Sequence, residues 1–122
     1  MRRAIEQAIL STLLNTASAS EKDFDMLIDY KLDYKLFNAN RTHTLVAKAL
    51  FNHAEDGLVW DELLIHNYIL KKTKLEKTKM NEQEYSEINN KVSLPFTVFL
   101  RYIEDLNEME TNRIINERLK RL

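Results

Sequence analysis

One glycine and one proline in 122 residues constrain this chain more than any other feature. Tight β-turns need residues that accept positive φ or arrive with φ preset, and Gly57 and Pro95 offer only two such places. Helices joined by polar loops satisfy the backbone without them. The sequence therefore predicts an all-α fold, a compact bundle of about six helices with a long C-terminal helix. One domain spans 1-122, with a globular body over 1-94 and a terminal helix over 95-122. At this length the surface scaling law allows burial of roughly two-thirds of the unfolded surface, enough for one modest core.

The first helix is expected over Arg3 to Asn15, because Ile5, Ile9, Leu10, Leu13 and Leu14 recur at helical spacing with polar residues elsewhere on the wheel. Ser18 to Ser20 supply a stop and a restart, with Asp23 three residues after Ser20, and Phe24, Leu27, Ile28 and Leu32 line the next helix. A connector with buried anchors follows from Asp33 to Asn40. Asn40 or Thr42 is placed to cap a third helix carrying Leu45, Val46, Ala49, Leu50 and His53, which Asp56-Gly57 terminates.

After an extended Leu58 to Trp60, Asp61 is a cap candidate for a fourth helix through Leu64, Ile65, Tyr68 and Ile69. From Lys71 to Lys79 the chain is mostly polar, which predicts a mobile stretch. Asn81 and Glu84 form a capping arrangement for a short fifth helix through Tyr85, Ile88 and Val92. Pro95 suits the first turn of the last helix, where its missing N–H is not needed.

That last helix carries an apolar stripe of Phe96, Phe99, Leu100, Ile103 and Leu106, whereas Ile115, Leu119 and Leu122 lie about 100° around the wheel. Either the helix bends near Asn107 to Asn112, or its distal half leaves the body and offers its own stripe to another helix or subunit. It reaches Leu122 without a cap, which points to a fragment of a longer protein.

The residues offer little for bond chemistry. A lone glycine cannot build a phosphate loop or a dinucleotide fingerprint. Without cysteine there is no thiolate metal site and no disulfide, a pattern compatible with the reducing cytoplasm. His43, His53 and His66 lack metal-ligand spacing and read as surface or boundary histidines. The neighbours Asp61 and Glu62, and Glu108 with Glu110, point apart on a helix and read as solvated. No catalytic, metal or cofactor site is expected. No stretch is apolar enough to span a bilayer, and the start of the chain lacks the apolar run of a secretory signal.

Charge gives no global pull toward nucleic acid, since 18 basic residues face 19 acidic ones. Lys71, Lys72, Lys74, Lys77 and Lys79 are the local exception. They read as a solvated loop first and as a weak nucleic-acid contact second, because no aromatic residue accompanies them. Trp60 suits a core plug or an interface hot spot.

The order of these signatures resembles the N-terminal domain of the bacterial replicative DNA helicase (DnaB-like) family. The resemblance rests on Glu6 to Leu10 with Leu13-Leu14, on Phe37 followed by His43-Thr44-Leu45 and Ala49-Leu50, and on Val59 with Asp61. It continues in Asn90 to Pro95 and in Tyr102-Ile103 leading to Arg113-Ile114-Ile115. The C-terminal helicase-binding domain of bacterial primase (DnaG-like) has a similar fold and fits the same residues. The resemblance implies a noncatalytic protein-interaction domain of DNA replication, part of a primosome, mediating helicase–primase contact or helicase self-association. The implied partners are helicase or primase, and the implied interface is Tyr102, Leu106, Met109, Arg113, Ile115 and Leu119, with Trp60. The lysine-rich stretch and the stop at Leu122 depart from the family's paired helical hairpins. A small helical DNA-binding regulator is the alternative of a different class, though the third and fourth helices are not basic enough for recognition.

Overall fold

The computed structural model describes residues 1–14, 32–56, 62–75, 81–89 and 94–121. Among them the fold is all-α, as the scarcity of turn residues requires. Five helices are described: α1 (Arg2–Leu14), α2 (Arg41–Glu55), α3 (Glu62–Leu75), α4 (Glu82–Ile88) and α5 (Phe96–Lys120), with a 3-10 turn at Tyr34–Leu36. The sixth expected helix lies outside the described residues at Phe24, Leu27 and Ile28, as do Gly57 to Asp61; Leu32, expected on the same helix, is buried but not helical.

α2 touches α1, α3, α4 and the 3-10 turn, α5 also meets that turn, and α1 packs against α2, α4 and α5. Its apolar spacing explains this: Ile9 and Leu10 are fully buried, and Ile5, Leu13 and Leu14 nearly so, which widens the buried stripe enough to face several neighbours. Phe37 is fully buried in the connector, as its role as an anchor demands. The core continues through Val46, Leu50, Ile65, Ile69, Ile88, Ile103 and Leu106.

Two caps form as their spacing predicts. Asn40 Oδ1 accepts from the His43 amide at 2.9 Å, and Asn81 Oδ1 accepts from the Glu84 amide at 3.0 Å, so each satisfies a first-turn donor. Pro95 is the residue before α5 rather than part of its first turn; its carbonyl takes the first helical bond, from the Phe99 amide.

Two expectations need correction. Lys71 to Leu75 are helical, completing α3, where a mobile stretch was expected. Lysine and leucine are good helix formers, and Thr73 is buried, so this turn lies against the body, its hydroxyl satisfied within the helix by the Ile69 carbonyl at 3.0 Å. Lys77 and Lys79 lie outside the described residues. Phe96, assigned to the buried stripe, is 54% exposed because the body begins to cover α5 only at Phe99.

Candidate protein interface

α5 divides into two halves of different character. Phe99, Ile103 and Leu106 are buried against the body, and Tyr102 and Met109 pack partly against the same core. From Thr111 to Arg121 every residue is exposed. At about 1.5 Å per residue, this half extends some 15 Å beyond its last core contacts. The helix is continuous from Phe96 to Lys120, so the stripe shift near Asn107 leaves the helical ladder unbroken.

The distal apolar residues are Ile114, Ile115 and Leu119, with exposures of 37%, 50% and 60%. Relative to the buried arc centred on Phe99, Ile103 and Leu106, Ile115 and Leu119 lie about 150° to 190° around the wheel. They face away from the side of the helix that meets the body. Arg113 braces this half from its polar flank, bonding Glu110 at 2.6 Å and Glu117 at 2.7 Å, one turn to either side.

Glu110 fastens the base of the projection. Its carboxylate accepts from Arg113, from Asn38 Nδ2 at 3.1 Å and from Arg2 Nη2 at 2.7 Å. The bonds from Arg113 lead these contacts in holding its pKa down at about 2, against the opposing cost of burial. Glu108 and Glu110 do diverge on the helix, but only Glu108 is solvated.

Arg2 continues inward, donating to the Leu36 carbonyl at 2.7 Å and to Glu6 at 3.0 Å. Glu6 is fully buried and also accepts from the Ala39 amide. His43, expected at the surface or boundary, is likewise fully buried: its Nδ1 lies 3.0 Å from Glu6 and its Nε2 3.1 Å from Glu84, the latter outside hydrogen-bonding direction. Glu84 receives both Nε and Nη2 of Arg3, at 3.0 and 2.7 Å, and the amides of Asn40 and Gln7. Its pKa falls to about 2, chiefly through the bonds from Arg3. A charged chain thus runs from α5 through α1 and α2 to α4.

This network is a structural cross-link. Glu6, Glu84 and Glu110 each accept from an arginine, as buried or half-buried carboxylates require, while His43 Nε2 makes no hydrogen bond. Sequence spacing could not reveal it, because Glu6, His43 and Glu84 come from three helices. Among the described residues no group of three or more His, Asp or Glu is arranged to hold a metal ion. Clefts of about 170 Å³ beside Asn40 and Glu84 and about 270 Å³ beside Met1 and Met109 are smaller than pockets that enclose drug-sized ligands.

The expected interface residues therefore separate. Ile115 and Leu119 are exposed on the projection, and Arg113 braces it. Tyr102 and Met109 are half-buried at its root. Leu106 is fully buried and packs the core, because it falls on the body-facing arc, so it offers no surface to a partner. Trp60 lies outside the described residues. Ile114 was missed as an interface candidate, although its place beside Ile115 was visible in the sequence. Lys71 and Lys74 are exposed on α3 and Lys72 is half-buried. No described helix is long and apolar enough to cross a membrane. Comparison with protein-family models, curated proteins and solved structures finds no match to the chain.

Proposed function

We propose that the chain is a noncatalytic protein-interaction domain of the bacterial DNA replication machinery, mediating helicase–primase contact or helicase self-association through the distal half of α5. The observation that carries the interaction reading is the projecting helix with Ile114, Ile115 and Leu119 exposed on it. Most helical stability in proteins comes from packing an apolar face, and among the described residues nothing covers this half of α5. A partner helix laid along the stripe would bury Ile115 and Leu119 without any bond being made or broken. The placement of the work in replication rests on the sequence resemblance to the helicase and primase domains.

Size-exclusion chromatography with light scattering, followed by pull-down against the cognate helicase and primase, tests the proposal. Self-association or capture of either protein supports it, and the identity of the captured protein separates the helicase side from the primase side. A strict monomer that binds neither protein and shifts a DNA duplex overturns it in favour of a DNA-binding regulator.

A further inference from the structure

The N-terminal end of α2 opens on a cleft of about 170 Å³ lined by Asn40, Arg41, Thr42, Leu45, Asn81 and Glu84. The first N–H groups of a helix have no partner within it and carry the positive end of its dipole, so such an end receives anions. Here Asn40 Oδ1 takes the His43 amide and the Asn40 carbonyl takes the Thr44 amide. Among the described residues the Thr42 amide is left without an acceptor. A helix end alone does not make a site, because water satisfies these groups at most helix starts.

Thr42 supplies a second observation. Its residue lines the cleft and is only 5% exposed, yet among the described residues its hydroxyl has no hydrogen-bond partner. Buried hydroxyls are normally bonded, as those of Thr44 and Thr73 are, to the Phe37 and Ile69 carbonyls. Thr42 departs from that pattern where the cleft reaches it. Across the cleft Asn81 uses Oδ1 to cap α4, and among the described residues its Nδ2 has no acceptor. Glu84 is the carboxylate on the wall, and its oxygens are taken by Arg3, Asn40 and Gln7.

We propose that this cleft binds a dianionic phosphoryl group. The Thr42 amide and hydroxyl and the Asn81 Nδ2 donate to its oxygens, and Arg41 with the α2 dipole balances its charge. A carboxylate presents two oxygens in one plane, whereas these donors come from opposite walls of the cleft and suit a tetrahedral set of acceptors. The cleft has room for a group of this size and no apolar wall beyond buried Leu45 to hold a larger ligand. The site is separate from the α5 stripe and stands or falls without it.

The test titrates the isotopically labelled full chain with inorganic phosphate at about pH 7.5, where the ion is mainly dianionic, and follows the amide of residue 42 by heteronuclear NMR. The resonance should move with saturation, half-complete below about 10 mM, while sodium chloride of matched ionic strength leaves it in place. Thr42→Val keeps the side chain's shape and should raise the half-saturating concentration at least about fivefold. It should not lower the thermal midpoint in phosphate-free buffer, since the hydroxyl it removes is unbonded in the fold. Arg41→Gln should weaken binding as well. Methyl phosphate separates the sources of the group: saturation by both probes assigns the site to a phosphate ester, and saturation by inorganic phosphate alone assigns it to the free ion. A linear drift without saturation up to about 50 mM, an equal shift in sodium chloride, or an affinity that Thr42→Val leaves unchanged overturns the proposal.

Discussion

Replacing Glu84 by Gln keeps the side chain's shape and removes its charge at the junction of α1, α2 and α4. In the folded chain the carboxyl group titrates at about 2 instead of 4.5, held down first by the bonds from Arg3. At about 1.36 kcal/mol per pKa unit, that difference corresponds to roughly 3 kcal/mol before screening. Arg3 is 54% exposed, so solvent weakens the pair and about 1.5 kcal/mol is the better expectation. The new amide also turns N–H groups toward Arg3, Asn40 and Gln7, which are donors already. The total expected loss is about 2 kcal/mol, or a fall in the thermal midpoint of about 8 °C for a chain of this size.

The pH dependence identifies the cause. A carboxyl group with a depressed folded pKa stabilises the fold above its unfolded value near 4.5, and that stabilisation disappears as pH falls toward about 2. Urea unfolding followed by circular dichroism should therefore show a gap of about 2 kcal/mol between the wild type and Glu84→Gln near pH 7. The gap should narrow steadily below about pH 4.5. A gap under about 0.5 kcal/mol near neutrality, or one that stays constant down to about pH 2.5, refutes the charge-network account.

Three further outcomes follow from the same contacts. Leu106→Ala, at a fully buried site, should cost about 2 to 5 kcal/mol in urea unfolding, marking it as core. His43→Leu takes one hydrogen-bond contact from buried Glu6, which keeps Arg2 and the Ala39 amide, and should destabilise by about 2 kcal/mol, against under about 1 for His66→Leu, which is half-exposed. Glu110→Ala removes the acceptor shared by Arg2, Asn38 and Arg113, so amide hydrogen exchange from Thr111 to Arg121 should accelerate while exchange in α1 changes little.

Much of the helical scaffold is legible in the sequence because its signals are local. The spacing of Ile5, Ile9, Leu10, Leu13 and Leu14 sets the buried face of α1, and Asn40 and Asn81 announce the starts of α2 and α4. The break between Leu106 and Ile115 on the wheel likewise marks where α5 parts from the body. What is not legible is non-local. His43 looks like a polar residue on the first turn of α2 until α1 and α4 bring Glu6 and Glu84 to either side of it. The helical state of Lys71 to Leu75 is hidden for a related reason, since the buried Thr73 counts as polar in any hydropathy pattern. Leu106 shows the limit for interfaces: an apolar residue on a projecting helix is core or contact according to where the body ends.

The most direct test of the α5 reading is light scattering and pull-down against the cognate helicase and primase for the wild type and for Ile115→Ser with Leu119→Ser. Both replaced side chains are at least half exposed, so the double variant should unfold within about 0.5 kcal/mol of the wild type. It should nevertheless lose the self-association or capture that the wild type shows. Undiminished association in a folded double variant would contradict the assignment of the distal α5 stripe as the interface.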